Sequence, residues 1–228
     1  GVGAVCSVMA TLLDELSNKS KQKDINFVFV VRNIKKAQDH FFKNSNILNK
    51  SDFLEIKHFE EIFEDSKKYE NYLRNSDIFI NSSTPSFNLP IMNLALKYNT
   101  NYADLASDIY KDEIISTLKF DQQILENEFK SQNLFALINL GISPGITNFL
   151  IGEKIHSLKN LPYEVKIKKL EINLLEEIQS KKLIFSWSPK VAIDELAFPP
   201  VFYKKNRPKT IEPFSKSKVY KFPYFRNI

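Results

Sequence analysis

The chain opens with Gly1-Val2-Gly3-Ala4-Val5-Cys6, and the fold turns on how these six residues are read. Their spacing is that of the dinucleotide fingerprint G-x-G-x-x-G, with Cys6 in the place of the third glycine. In such a turn the first glycine permits the tight reversal and the second lets a pyrophosphate approach the backbone. The third allows a helix to pack closely on a strand. Cys6 is small and apolar and still permits fairly close packing. Ala4–Leu16 follows, with Val5, Val8, Met9, Leu12, Leu13 and Leu16 at helical spacing. The start of that helix offers free N–H groups and a positive dipole end to phosphates. Ile25–Val31 (INFVFVV) is a continuous β-branched and aromatic run, the mark of a strand buried on both faces. Alone, the glycines also suit a plain strand–helix turn; the helix and strand behind them favour the cofactor turn.

Outward from this start the periodicities alternate. The pattern predicts a helix over Ile34–Lys43, a strand near Phe53–Lys57, a helix over Glu60–Arg74 and a strand at Asp77–Asn81 (DIFIN). A loop over Ser82–Asn88 leads to a helix with Pro90 in its first turn, running through Lys97. Tyr102–Leu105 reads as a strand, Phe120–Lys130 as a helix, Leu134–Asn139 (LFALIN) as a strand and Gly145–Leu158 as a helix. Such alternation calls for a parallel sheet with helices on both faces. After Asn160 it stops. Val165–Leu175 and Leu183–Trp187 read as strands, and prolines accumulate at 189, 199, 200, 208, 213 and 223. The expected class is therefore α/β: a Rossmann-like, doubly wound parallel sheet over residues 1–158, then a strand-rich mixed α+β domain over 159–228. Gly1 is not an initiator methionine, and the chain stops just after a strand-like stretch. Both domains are thus expected to be truncated at the outer ends, the first lacking the strand that would precede Gly1.

Composition excludes several classes. The 228 residues are 43% hydrophobic, enough for a core and against disorder. No run of 18 apolar residues exists, and the N-terminus lacks the basic region of a secretory signal. The single cysteine cannot pair internally, which fits a cytoplasmic protein, and the three scattered histidines form no metal pattern. The formal charge of +5 is spread as lysine along the whole length, a solvated surface rather than a nucleic-acid footprint. Neither nucleic acid nor membrane is an expected partner. Glycine is scarce, 5 residues where average usage of about 7% would give roughly 16. They gather in two places, Gly1 with Gly3, and Gly141 with Gly145 and Gly152.

In open parallel sheets ligands bind beyond the carboxyl ends of the strands. After INFVFVV stand Arg32 and Asn33, where a carboxylate would bind a ribose 2′-hydroxyl and an arginine suits a 2′-phosphate. NADP(H) is thus favoured over NAD(H), although Arg32 also reads as a surface residue ending a strand. Ser82-Ser83-Thr84-Pro85 leaves DIFIN at this edge, Asp104 leaves NYADLA, and Ser143-Pro144-Gly145 leaves LFALIN ahead of Thr147 and Asn148. Hydroxyl-rich loops and one carboxylate so converge where a nicotinamide would lie. Each also has a structural reading: helix-capping for Ser82–Thr84 and Asp104, turn geometry for Gly141 and Gly145, and close helix packing for Gly152.

GVGAV, DIFINSSTPSFNLPIMNLAL, NYADLA, INLGISPGITNFLIGEKI and FSWSPKVAIDE together resemble the saccharopine dehydrogenase family, most specifically in NLGISPGITNFL. The resemblance implies a Rossmann domain, a mixed-sheet domain inserted before a returning C-terminal segment, and often a homodimer. It implies nicotinamide-dependent oxidoreduction at a carbon–nitrogen bond of an amino-acid substrate, as in lysine and saccharopine metabolism. On that reading Gly1, Gly3, Ala4, Val5, Arg32, Asn33, Ser82, Ser83, Thr84 and Pro85 hold the cofactor. Ser143, Pro144, Gly145, Thr147, Asn148 and Trp187 face the substrate. Asp104 is the candidate general acid/base if burial raises its pKa. Lys190 and Arg207 are candidates to close the pocket, with plain surface charge as the alternative; Asp194-Glu195 reads better as a surface cap than as a carboxylate pair. Two other functions remain open: a non-catalytic dinucleotide-binding sensor or assembly protein, and an epimerase or lyase on the same fold.

Overall fold

A computed structural model describes residues 2–20, 24–41, 44–107 and 121–170, with parts of 172–219 that include 181–182, 201–204 and 207–215. Two compact units divide the chain, one of Gly1–Asp108 with Asp121–Lys168, the other of Ile109–Phe120 with Lys169–Ile228.

In the first unit strands and helices alternate. Helix α1 (Ala4–Ser20) leads to β1 (Phe27–Val31), then α2 (Ile34–Asp39), α3 (Ser45–Asn49) and β2 (Ser51–Glu55). Helix α4 (Glu61–Glu64), a 3₁₀ turn at Ser66–Tyr69 and α5 (Glu70–Arg74) precede β3 (Ile78–Asn81). A 3₁₀ turn at Pro85–Phe87 enters α6 (Asn88–Lys97), which returns to β4 (Asn101–Asp104). A 3₁₀ turn at Asp121–Leu125, α7 (Glu126–Ser131), β5 (Ala136–Leu137) and α8 (Ile146–Lys159) complete it. In the second unit β6 (Val201–Lys204) and β7 (Arg207–Thr210) form an antiparallel pair.

All strand pairs of the first unit are parallel, as the alternation requires. They fall into two small sheets, β1-β2 and β3-β4-β5, rather than one. One apolar cluster centres on Phe29, whose ring lies 5.1 Å from Phe41 and 5.3 Å from Phe53. A second joins Val30 and Leu54 of the first sheet to Phe79 of the second, around Ile62, Leu73 and Leu94. A third packs Ile91, Met92 and Ala95 of α6 on Tyr102 and Phe129. Ile47 in α3 is fully buried, which is worth about 1.5–3 kcal/mol of transfer free energy.

The expected elements need correction in several places. The helix over Ile34–Lys43 ends at Asp39, because Asn44 caps a separate helix by accepting from the Ile47 N–H. Glu60–Arg74 breaks into three short turns, and LFALIN pairs only at Ala136–Leu137. Residues 165–170 form no strand; they are exposed and have no partner strand among the described residues. The expected strand Leu183–Trp187 lies outside the described residues.

Helix α1 buries a different face from the one its apolar spacing suggests. Cys6, Ala10, Asp14 and Ser17 are buried, while Val5, Val8, Leu12 and Leu16 are exposed. Asp14 tolerates burial because its carboxylate accepts from the Asn46 amide at 2.8 Å and pairs with Lys50 at 3.2 Å. The glycine shortage also has a local explanation. At Asn99, Asn133 and Asn139 the chain takes φ of 53°, 56° and 61°, so asparagine fills left-handed positions that glycine often holds.

Candidate functional site

The carboxyl ends of the strands gather the predicted loops. At the first, Val2 packs on the Phe29 cluster and Gly3 precedes α1, its carbonyl accepting from the Ser7 N–H at 3.0 Å. Among the described residues a Cβ placed on Gly3 would meet nothing within 4 Å, so the backbone is open just before the N-terminus of a 17-residue helix. Ala4 and Val5 are exposed in its first turn. These residues fit a pyrophosphate. Gly1 lies outside the described residues.

Buried Cys6 ties this turn to the next loop through a hydrogen bond with Ser82, just after β3. Burial pushes the thiol pKa up, and the Ser82 hydrogen bond opposes this only in part. After β1, Arg32 is exposed, and Asn33 caps α2 by accepting from the Lys36 N–H at 2.7 Å. Sequence reasoning missed Glu55, at the end of β2, whose carboxylate lies 3.4 Å from the Ile34 N–H. A carboxylate thus stands at the turn where only an arginine was expected.

The Ser82–Pro85 loop wraps around two buried asparagines. Asn81 Oδ1 accepts from the Ser83 hydroxyl at 2.7 Å and its N–H at 2.9 Å, while Asn81 Nδ2 donates to the Thr84 carbonyl and to Asn88 Oδ1. Tyr102 donates its hydroxyl to the same Asn88 oxygen at 3.0 Å, and Asn88 Nδ2 donates to the Ala106 carbonyl. Pro85 is buried and starts the 3₁₀ turn, and the Thr84 and Ser86 hydroxyls share a hydrogen bond. The loop is therefore held from within, with Ser83 and Thr84 exposed.

Asp104 is 0% exposed. Its Oδ1 accepts from the Asn139 N–H at 2.8 Å, its Oδ2 from the Gln122 amide at 3.1 Å, and its main-chain carbonyl from the Leu140 N–H at 2.9 Å. Burial raises its pKa, against the lowering effect of hydrogen bonds from Asn139, Gln122 and Tyr102. The expected direction of shift is present, yet both carboxyl oxygens are occupied by chain donors. Beside it the buried Oδ1 of Asn139 has no partner among the described residues. Two of the partners of Asp104, Gln122 and Asn139, lie 18 and 35 residues away, with no local signal to announce them.

The loop after β5 is a closed turn. Gly141 and Gly145 form a bridge, the Gly141 carbonyl accepts from the Ile146 N–H at 2.9 Å, and Ser143–Pro144 is cis. Ser143 and Pro144 are exposed at its tip. Asn148 Oδ1 accepts from the Gly145 N–H and the Thr147 hydroxyl, each at 3.2 Å, and Thr147 is buried. Two of the predicted substrate donors are thus engaged with each other. A methyl group on Gly152 would have no atom within 4 Å, so close packing does not explain this glycine among the described residues. Trp187, Lys190, Asp194 and Glu195 lie outside the described residues, and Arg207 contributes main chain to β7.

Among the described residues no group of three or more His, Cys, Asp or Glu could hold a metal, and no helix is long and apolar enough to cross a membrane. No family model matches the chain, and no curated protein matches it. The fold is similar to that of an apo histidine-tagged saccharopine dehydrogenase (L-Glu forming) from Saccharomyces cerevisiae, with a TM-score of 0.59 at 16% identity. That likeness covers 98% of this chain and 46% of the yeast structure, so the chain spans less than half the length of that protein. What the two share is a mixed α/β fold with parallel strands.

Proposed function

We propose that the chain carries the dinucleotide-binding part of a Rossmann-type oxidoreductase acting at a carbon–nitrogen bond of an amino-acid substrate. The observation that carries this reading is the fold likeness to a saccharopine dehydrogenase over 98% of the chain. The open backbone at Gly3 supports it, since a pyrophosphate needs the approach that a side chain there would block. NADP(H) is the proposed cofactor over NAD(H), on the exposed Arg32; Glu55 at the same turn is the feature that argues for NAD(H).

When bound, the nicotinamide supplies hydride transfer, and the chain supplies binding, orientation and charge. The first-turn N–H groups of α1 hold the pyrophosphate, and the Ser82–Pro85 loop shapes the edge beside it. Asp104 fixes the start of the Asn139–Gly145 loop by accepting from the Asn139 N–H, which makes it a positioning residue in this arrangement. Asn139 Oδ1 is the buried acceptor available to a substrate or carboxamide N–H. For Asp104 to act as general acid/base, Gln122 must first swing aside.

The engaged Asp104 favours a second reading, a dinucleotide-binding sensor or assembly protein without catalysis. An assay of the full-length protein with lysine or saccharopine, followed by NAD(P)H absorbance, separates the two. Turnover supports the enzyme; tight cofactor binding without turnover of any amine or amino acid supports the sensor. Arg32→Ala is expected to weaken NADPH binding by about 10- to 100-fold, the worth of one charge-assisted hydrogen bond, and NADH binding far less. Equal weakening of both would remove Arg32 from the site.

A further inference from the structure

We infer that Tyr102 is a positioning residue that locks the Ser82–Pro85 loop to the Asn139–Gly145 loop, so that ordering one orders the other. The assignment of these loops to cofactor and substrate rests on the proposed function; the lock itself does not.

Strand geometry brings the parts together. In β4 Tyr102 and Asp104 are two residues apart and so share a face, and the β3–β4 register sets Asn81 beside Asp104. The Tyr102 ring is held by the core it packs in, with Ile91, Met92, Ala95 and Phe129. Its hydroxyl reaches two acceptors, Asn88 Oδ1 at 3.0 Å and the Asp104 carboxyl. With one hydrogen to share, it ties the two groups together. Asn88 Nδ2 donates to the Ala106 carbonyl at 2.8 Å, which fixes the amide with its oxygen toward Tyr102 and Asn81.

Each side of this hydroxyl leads to one loop. Toward the first, Asn88 Oδ1 also accepts from Asn81 Nδ2 at 2.7 Å, and Asn81 Oδ1 accepts from the N–H and the hydroxyl of Ser83. Toward the second, Asp104 Oδ1 accepts from the Asn139 N–H at 2.8 Å, at the start of the loop that Gly141 and Gly145 close. Asn81, Asn88, Tyr102 and Asp104 are between 0% and 4% exposed. Polar groups buried this deeply find their partners within the chain, and the bonds of such a network strengthen one another at low dielectric. A shift at Ser83 therefore disturbs Asn88, and the Tyr102 hydroxyl passes the disturbance to Asp104 and Asn139. Strand β4 also spans the two loops, but it keeps its ladder whether or not Tyr102 carries a hydroxyl, so removing that one group separates the two accounts.

Tyr102→Phe removes the hydroxyl and keeps the ring, and amide hydrogen exchange on the protein reads the result. The Ser83 and Asn139 amides report the two loops, and the Ile56 amide, bonded to the Val31 carbonyl in the other sheet, reports global opening. Both loop amides are expected to exchange about fivefold or more faster in Tyr102→Phe, beyond any change at Ile56, the worth of one lost buried hydrogen bond. A change at one loop alone, or an equal change at all three amides, overturns the inference, since a tyrosine that only fills the core would loosen the whole fold. If the variant does not fold, the natural chain decides. There the Ser83 and Asn139 amides should share one opening constant within about threefold across a urea series, distinct from that of Ile56. A wider spread, or a constant shared with Ile56, overturns the lock.

Saturating NADPH supplies a second arm. It should slow the Asn139 amide about fivefold in the natural chain and leave it unchanged in Tyr102→Phe. Equal slowing in both, or none in the natural chain although NADPH binds, overturns the inference. If NADPH does not bind at all, the proposed function falls, and the exchange rates without ligand still decide the lock.

Discussion

Gly3 and Gly145 each stand one residue before a helix at a strand's carboxyl edge, and a methyl group would meet opposite surroundings at the two. At Gly3 it meets nothing within 4 Å. At Gly145 it would overlap the Gly141 carbonyl oxygen, and φ is +134°. Gly141 is similar, with a Cβ position 2.5 Å from the Leu105 carbonyl. The chain's own backbone therefore demands glycine at the second turn and not at the first. On the proposed function, the glycine at Gly3 answers to an approaching ligand rather than to the chain's own atoms.

The largest effect that would break this contrast is at Gly145. Gly145→Ala must give up both the bridge to Gly141 and the positive φ, so a loss of about 3 kcal/mol is expected. At about 2–4 °C per kcal/mol for a chain of this size, calorimetry should show a fall of roughly 6–12 °C. A fall below about 2 °C would mean that the turn relaxes freely, and the two glycines would then be alike.

Gly3→Ala sharpens the same contrast from the other side. The thermal midpoint should stay within about 1–2 °C, because no atom must move. Dinucleotide affinity, read by NADPH fluorescence titration, should fall at least tenfold, about 1.4 kcal/mol. Unchanged affinity would leave Gly3 without the role assigned to it, whatever the outcome at Gly145.

The two turns also differ in how legible they were. Strands β1 and β3 are legible as short β-branched and aromatic runs, and the turn before α1 as local glycine spacing, because each signal sits within a few consecutive residues. The scaffold of the second turn was not legible. Asp104 depends on Gln122 and Asn139, and the Ser82–Pro85 loop on Asn88, contacts that only the folded chain creates. The buried face of α1 was misread for a related reason. Asp14 counts as polar in any periodicity, yet it is buried by partners 32 and 36 residues away, while the periodic row Val5, Val8, Leu12 and Leu16 stays exposed. The Glu60–Arg74 helix failed because Asp65, at φ −123° and ψ 56°, interrupts it.

Asp104 gives a smaller, pH-dependent effect on the second turn. Burial raises its folded-state pKa above the ordinary value of 3.8, so the folded chain binds a proton more tightly than the unfolded one. Its contribution is then fully present below the ordinary carboxylate pKa and declines as pH rises through the folded one. The described groups bonded to it, Asn139, Gln122 and Tyr102, are neutral. Urea midpoints measured from pH 4 to pH 8 should therefore fall more steeply with pH in the natural chain than in Asp104→Asn. The substitution itself should cost about 1 kcal/mol near neutral pH, through one mismatched donor toward Gln122. Parallel pH profiles for the two proteins would show that Asp104 does not titrate differently on folding.

The smallest effect belongs to Gly152, a third kind of glycine, inside α8 and with nothing within 4 Å of its Cβ position. It has neither the backbone contact of Gly145 nor a place at a strand's carboxyl edge like Gly3. In an exposed helix interior alanine is better than glycine by about 0.5–1 kcal/mol. Gly152→Ala should therefore raise the thermal midpoint by about 1–4 °C and leave dinucleotide affinity unchanged. A lower midpoint would mean that a neighbour rests closely on this face of α8, as the exposed Phe149 and Leu150 beside it would also suit. In that case Gly152 joins Gly145 as a glycine required by packing, and Gly3 alone remains open.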